Sequence, residues 1–359
     1  MTENRRILKI LYVIEGISAA GGLERVLIDK MNALSAVPGV EVVLLTVWRG
    51  QDSPAFRLDD GVGHVSLEVP RPGGRLQLLL ALARVLRRYN VVLERICPDV
   101  VVHFRAMGAF LLGFGRHSCR TVFESHGVRY SNNHLWLYPR MERRVDTVVC
   151  LTEGDRGEYI RQGRCRDVRV IPNFSNVVPV GVPDYEGRHC VYIGRFCPEK
   201  DPERLLRLWG AIYEGHGDWT LDIYGDWTPE VCGDWDVGDV PGVRLHGYCD
   251  DVASALQGGS MLLLTSRSEG FGLTILEAMR CALPVVSLDT PCGPRDLVVD
   301  GVTGFLVPYG DDGAFVGAVS RLMDDVALRR GMGENAAKRA NLFDRDAIIG
   351  RWVALFKEG

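Results

Sequence analysis

The sequence predicts an α/β protein made of two Rossmann-like domains facing each other across a cleft. Three observations carry that expectation. The chain has 359 residues, 47% of them hydrophobic and 25% charged, more apolar material than one core organises, since single cores stop growing at roughly 250–300 residues. Short β-branched runs alternate with helical stretches along the first half. The alternation restarts after a segment rich in Pro, Gly and Val over 176–187, which reads as an inter-domain linker. The expected domains are 1–175 and 176–344, with a terminal helix over about 345–359 that can pack back on the first.

Taken in order, the apolar run Ile7–Ile14 reads as a strand and Leu23–Ala36, with helical spacing of its apolar residues, as a helix. Glu41–Val47 reads as a strand and Leu76–Ile96 as a long helix. Strands recur at Val100–His103, Thr121–Ser125 and Asp146–Thr152, followed by a helix from about Asp155 to Gln162 and a strand at Val168–Pro172. Strand–helix alternation of this kind is the mark of a doubly wound parallel sheet. In the second half, strands are expected at His189–Ile193, Thr220–Tyr224, Val243–His246, Met261–Thr265 and Pro284–Ser287, with helices between them and one from about Asp312 to Leu322.

Composition removes several function classes. The longest apolar runs, such as Val100-Val101-Val102 and Met261-Leu262-Leu263-Leu264, fall well short of the roughly 20 residues a membrane span needs. The start, Met1-Thr2-Glu3-Asn4-Arg5-Arg6, lacks a secretory cleavage site, so a cytoplasmic protein is expected. Ten cysteines contain no Cys-x-x-Cys pair, which fits reduced structural thiols. Residues 1–175 carry 25 Lys/Arg against 18 Asp/Glu, a balance of +7, whereas 176–359 carry 17 against 28, a balance of −11, and the two sum to the net −4. A basic first half suggests an anionic partner such as a membrane surface or lipid phosphate, or simply a solvated face. No nucleic-acid recognition motif is present, and a nucleic-acid partner is not expected.

In open α/β sheets ligands bind beyond the carboxyl ends of the strands, so the residues just after each strand carry most weight. The first strand runs into Glu15-Gly16-Ile17-Ser18-Ala19-Ala20-Gly21-Gly22-Leu23-Glu24-Arg25. Its glycines would let backbone approach a phosphate at a helix amino terminus, although the loop matches neither dinucleotide fingerprint nor Walker loop and reads equally as a tight turn. Gly194-Arg195-Phe196-Cys197-Pro198-Glu199-Lys200-Asp201 follows the first strand of the second half. Arg195 and Lys200 there can neutralise a diphosphate, or can pair with Glu199 and Asp201 at the surface. The strongest signal is Ser268-Glu269-Gly270-Phe271-Gly272-Leu273-Thr274-Ile275-Leu276-Glu277-Ala278-Met279, after Met261–Thr265. Two glycines open a helix whose free amides can hold a phosphate, and two carboxylates eight positions apart can accept hydrogen bonds from sugar hydroxyls.

Together the Glu-x7-Glu pattern from Glu269 to Glu277, the Gly-Arg-Phe-x-x-Glu-Lys segment and the Gly-Gly-x-Glu-Arg loop resemble the family-four retaining glycosyltransferases of GT-B fold. Leu151-Thr152-Glu153-Gly154-Asp155, Val170-Ile171-Pro172-Asn173-Phe174, Cys292-Gly293-Pro294-Arg295-Asp296 and Asp300-Gly301-Val302-Thr303-Gly304 extend the resemblance over roughly residues 7–310, in the style of enzymes that build bacterial capsule, exopolysaccharide or lipopolysaccharide. The resemblance implies that Glu269 holds the donor sugar and Glu277 the ribose. Arg195 and Lys200 would bind the diphosphate with the amides of Gly272, Leu273 and Thr274, and Gly21 and Gly22 would approach it from the other domain. Arg295 would line the cleft. His126, in Glu124-Ser125-His126-Gly127, occupies the place of the family's active-site histidine, though the family more often has it directly after a glutamate.

The expected reaction is metal-independent transfer, with retention, from a nucleotide sugar, a UDP-hexose or UDP-N-acetylhexosamine, to a growing surface glycan or lipid-linked saccharide. Positive charge from Arg195, Lys200 and the helix dipole would stabilise the departing diphosphate. No cofactor or metal is expected; Asp234-Trp235-Asp236 reads as a solvated loop. Arg75, Arg84, Arg87, Arg88 and Arg95 on a Leu/Ala-rich helix, with Trp136, Tyr138, Arg140, Arg143 and Arg144, mark an acceptor side able to touch an anionic membrane, which would make the protein peripheral on the inner face of the plasma membrane. The alternative is a nucleotide-sugar-binding protein of the same fold without activity.

Overall fold

The computed structural model describes residues 7–19, 21–50, 55–127, 129, 135–226 and 240–358. The amino-terminal six residues, Ala20, Cys232 and the Asp234-Trp235-Asp236 loop lie outside the described residues. The chain divides into two compact units, residues 1–173 with 346–359, and residues 174–345.

The first unit holds a seven-stranded, wholly parallel sheet of order β3-β2-β1-β4-β5-β6-β7. Its strands are β1 (Leu8–Ile14), β2 (Val40–Trp48), β3 (Val62–Val69), β4 (Val100–Phe104), β5 (Arg120–Ser125), β6 (Thr147–Cys150) and β7 (Val168–Val170). Helices α1 (Gly22–Ser35), α2 (Arg75–Ile96), α3 (Arg105–Phe114), α4 (Tyr138–Glu142) and α5 (Glu153–Gln162) connect them. The central strands are apolar on both faces because helices cover both, and Leu11, Val13, Leu45 and Val101 pack with Val85 and Tyr89 of α2.

The second unit repeats the plan with six parallel strands of order β10-β9-β8-β11-β12-β13. They are β8 (His189–Ile193), β9 (Thr220–Tyr224), β10 (Val243–Gly247), β11 (Met261–Leu264), β12 (Val285–Asp289) and β13 (Gly304–Pro308). Its helices are α6 (Pro202–Gly215), α7 (Val252–Gln257), α8 (Leu273–Arg280), α9 (Pro294–Leu297), α10 (Asp312–Asp324) and α11 (Val326–Ala340). The segment 176–187 has no regular element, yet it is fastened to this unit: Arg280 Nε donates to Val177 O at 2.8 Å and the Val180 amide to Gln257 Oε1 at 2.6 Å.

In each sheet the strand order reverses at the unit's first strand, between β2 and β4 on either side of β1 and between β9 and β11 on either side of β8. Ligands of open α/β sheets sit at such switch points. The loops that matter are therefore those after β1, β4 and β5 in one unit and after β8 and β11 in the other.

A last helix, α12 (Arg345–Lys357), completes the first unit. Arg120 donates to Leu355 O, Arg169 pairs with Glu358 at 2.7 Å, and Trp352 is fully buried. Sequence periodicity did not assign β3, α3, β13 or α11. Gly63, His64 and Glu68 interrupt the pattern of β3, whose burial is itself irregular. Helix α3 starts without a turn because Arg105, at φ +52°, turns the chain sharply out of β4.

Candidate functional site

In the second unit, the loop after β8 begins at Gly194 with Arg195 exposed and Phe196 buried as its anchor. A turn over Pro198–Lys200 then aims Lys200 at the loop after β11. There Lys200 Nζ and Ser266 Oγ both donate to Glu269 Oε1, each at 2.6 Å. Asp201 locks the two loops together. Its Oδ1 accepts from Arg267 Nη2 at 3.0 Å, Arg267 Nε lies 2.9 Å from its Oδ2 as an ion pair, and its carbonyl accepts from Thr265 Oγ1 at 3.1 Å. Asp201 has φ +49°, a left-handed conformation costly for a side-chain-bearing residue, and the paired arginine holds it there.

Helix α8 opens at Gly272, with φ +89°. The amides of Ile275 and Leu276 bond back to Gly272 O, so those of Gly272, Leu273 and Thr274 stand ahead of the first intrahelical bonds. Glu277 is buried one turn further on, and the Cys281 thiol beside it is pushed up to about 11 by burial and by the Glu277 charge. Gly293, with φ +90°, explains the Cys-Gly-Pro motif: a Cβ there would lie 2.9 Å from Glu269 Cβ and 2.8 Å from Phe271 O. The backbone after β12 therefore braces the Glu269 loop. Arg295 is engaged by both oxygens of Asp289, at 3.0 and 2.8 Å. At the ends of β9 and β10, Tyr224 stacks on His246, ring centroids 4.5 Å apart, while Asp222 accepts from His246 Nε2 at 2.6 Å; Tyr248 is exposed nearby in sequence.

In the first unit, Gly21 and Gly22 open α1 after β1, and the Arg25 amide donates to Gly21 O at 3.0 Å. Buried Glu24 in that first turn lies 3.2 Å from the Arg105 guanidinium. A Cβ on Gly21 would meet the Glu24 carboxylate at 2.5 Å, so glycine leaves the space in which this carboxylate sits. His126 follows β5, its Nε2 2.8 Å from Glu124 Oε1, and buried Lys30 of α1 donates to the same oxygen. Burial opposes ionisation of Glu124, yet Lys30 and the His126 hydrogen bond outweigh it and hold the carboxyl below its usual range. Burial pulls Lys30 down, partly offset by Glu124. The loop beyond His126 is tied back through Asp155, which accepts from the Arg129 amide at 2.9 Å and whose own amide donates to the Thr152 cap at 3.2 Å.

The basic-aromatic group of α4 is largely used for packing. Tyr138 is buried against Phe123, Arg140 donates to Gly113 O at 2.7 Å over the Phe114 ring, and Arg144 donates to Gly115 O at 3.0 Å; Trp136 and Arg143 are exposed. On α2, Arg88 donates to Glu68 O at 3.0 Å, while Arg75, Arg84, Arg87 and Arg95 are exposed.

Lys200 and Glu269 thus meet directly. Glu277 and the amides of Gly272, Leu273 and Thr274 belong to the helix opening beside Glu269, and Arg195 to the loop that carries Lys200. Gly21, Gly22 and His126 lie in loops at the carboxyl edge of the other sheet. Sequence reasoning missed Asp201, Arg267, Ser266, Arg105 and the Lys30–Glu124 pair. The one visible signal was Lys30 itself, a charge on the face of α1 that also carries Leu27, Met31 and Leu34.

Comparisons with known proteins agree with this architecture. The profile described as Glycosyltransferase Family 4 matches residues 20–177, and that described as Glycosyl transferases group 1 matches residues 187–325. The chain is 28% identical to the lipopolysaccharide core biosynthesis glycosyltransferase of Rhizobium meliloti, covering 93% of this chain and 95% of that protein. It is also 28% identical over 221 residues, 60% of its own length, to an exopolysaccharide phosphotransferase of Streptomyces coelicolor, but spans only 23% of that protein. Sucrose-phosphate synthase from Thermosynechococcus elongatus superposes with a TM-score of 0.81 at 20% identity, covering 98% of each chain. The Anabaena protein HepE, solved with UDP and glucose, superposes with a TM-score of 0.75 at 18% identity, covering 98% of this chain and all of that one. With two Rossmann-like parallel-sheet units and both profiles matched in order, the chain belongs to the family-four glycosyltransferases of GT-B fold.

Proposed function

We propose that this glycosyltransferase moves a sugar, with retention and without a metal, from a UDP-hexose or UDP-N-acetylhexosamine to a growing bacterial surface glycan or lipid-linked saccharide. The observation that carries this reading is Glu269 Oε1, held by Lys200 and Ser266 beside the open end of α8. A carboxylate fixed in this way accepts hydrogen bonds from sugar hydroxyls, and the ammonium 2.6 Å away is placed for a phosphate. Glu277 would address the ribose. As the bond between sugar and phosphate breaks, charge grows on the diphosphate, where Arg195, Lys200 and the α8 amides already supply positive potential. That supply supports a reaction needing no divalent ion.

UDP bound to HepE supports the choice of base, and the lipopolysaccharide relative supports a surface-glycan acceptor. Among the described residues no helix is long and apolar enough to cross a membrane. Peripheral contact is supported by the amino-terminal turns of α2, where Leu76, Leu79 and Leu80 are 74%, 66% and 61% exposed beside Arg75 and Arg84. Apolar side chains flanked by arginines are the composition of an interfacial helix.

A panel of UDP-, GDP- and ADP-sugars, read by thermal shift and donor hydrolysis with and without chelator, tests this reading on the wild type and Glu277→Ala. Stabilisation and turnover by UDP-sugars, indifferent to chelator and weakened by the substitution, is the expected result. Loss of turnover with chelator overturns metal independence. Binding without turnover favours the inactive binding protein.

A further inference from the structure

The first unit seals a lysine among rings and a carboxylate directly behind His126. Lys30 Nζ lies 4.3 Å from the centre of the Trp352 ring of α12, 5.6 Å from Phe104 and 5.7 Å from Tyr12, and donates to Glu124 Oε1. Lys30, Glu124 and Trp352 are all essentially inaccessible to water. A charge so placed is costly unless paired. The ammonium is paired within this site, and the oxygen that receives it also faces His126 Nε2 at 2.8 Å.

That shared oxygen decides the histidine's state. An ionised carboxylate only accepts hydrogen bonds, so a nitrogen 2.8 Å from it must carry a proton. His126 Nε2 is therefore N–H. A carboxylate alone beside a histidine would also favour a second proton, making imidazolium. Here Lys30 already compensates the carboxylate, and the Arg105 charge opposes a second proton on the ring. The Phe104 ring, its centroid 5.5 Å from that of the imidazole, helps exclude water, and Arg105 stands at the start of α3. Burial lowers the proton affinity of His126, the Glu124 contact restores part of it, and Lys30 and Arg105 lower it again. Among the described residues nothing donates to its Nδ1.

We propose that Lys30 and Glu124 are positioning residues that hold His126 as the neutral Nε2–H tautomer, presenting the Nδ1 lone pair as the acceptor for a hydroxyl of the sugar donor or of the saccharide acceptor. Trp352 covers the pair and makes the terminal helix part of the same device. The inference rests on His126 belonging to the transfer site.

The test is nitrogen NMR of the full chain with labelled histidine between pH 6 and 8.5, His126 being assigned by its loss in His126→Ala. The expected spectrum shows a protonated Nε2 and a bare Nδ1 unchanged across the range. A protonated Nδ1, or a midpoint near the free value of about 6.5, overturns the proposal. In Lys30→Met the uncompensated carboxylate should raise the His126 midpoint by at least one unit, and the acidic limb of kcat/KM should follow it; Lys30→Arg should bring both back. An unmoved midpoint in Lys30→Met removes Lys30 from the role. If Lys30→Met does not fold, the wild-type tautomer still decides. The NMR readout needs no turnover. A wrong tautomer in an active enzyme defeats the pair, whereas the right tautomer with turnover surviving His126→Ala defeats the site assignment.

Discussion

Each unit places one lysine–glutamate pair at the carboxyl edge of its sheet, and the two pairs differ in what surrounds them. In the first, the Lys30 and Glu124 side chains are 2% and 0% exposed and three aromatic rings face the ammonium. In the second, Lys200 and Glu269 are 19% and 9% exposed, at the mouth of α8. A sealed pair has no ligand within reach and can only support a neighbouring group, here His126. A pair open at one end can exchange its internal hydrogen bond for a ligand, releasing Lys200 to a phosphate and Glu269 to a hydroxyl. The same two residue types therefore serve as scaffold in one unit and as binding surface in the other.

The comparison is most directly broken at Lys30. Lys30→Met leaves a buried carboxylate with His126 in place of its lysine partner and should cost about 3–5 kcal/mol of stability, seen as a fall in the urea midpoint. Replacing both partners, as Lys30→Met with Glu124→Leu, should recover much of that loss. Glu269→Ala should do the reverse, lowering turnover on the order of 10²–10³-fold while leaving the urea midpoint nearly unchanged. Lys200→Ala should raise the donor KM by roughly 10–100-fold, the loss of one charge-assisted hydrogen bond, at a stability cost of about 1 kcal/mol or less. Equal stability losses at Lys30 and Lys200 would erase the distinction.

Gly293→Ala sharpens it from another side. The added methyl meets Glu269 Cβ and Phe271 O in a left-handed conformation, so about 1–3 kcal/mol of stability should go, with donor affinity falling as Glu269 shifts. An effect confined to acidic pH is expected at His117, which sits with His103 and Tyr89 in the first unit. Burial, helped by the Arg144 charge and opposed by Asp146, brings its midpoint down to about 4. The unfolded chain takes up that proton near 6.5, so between these values it binds more protons than the native state. Stability should therefore decline as pH falls from 6.5 to 4, and His117→Phe should flatten that slope in urea titrations.

The strands β1, β4, β8 and β11 were legible because both-face burial writes continuous apolar runs. The donor-side residues were legible because Gly-Arg-Phe and Glu-Gly-Phe-Gly follow those strands directly. Edge strand β3 was not, since Gly63, His64 and Glu68 break its apolar pattern and its burial is irregular. What fixes the site was also hidden. Asp201 and Arg267 are 66 positions apart and Lys30 and Glu124 are 94 apart, so only the folded chain shows that each pair exists. A lysine in a helix reads as solvent-facing, and sequence periodicity cannot say that a glutamate waits behind it.

The ring over Lys30 belongs to residue 352, and residues 174–345 are synthesised between the first unit's sheet and the helix that covers it. At about 5–20 residues per second, translation leaves that lysine uncovered for roughly 10–35 s. A ribosome stalled before α12 would therefore carry a first unit with its sheet formed and its buried charge still open to water, a species for chaperones or proteases to recognise.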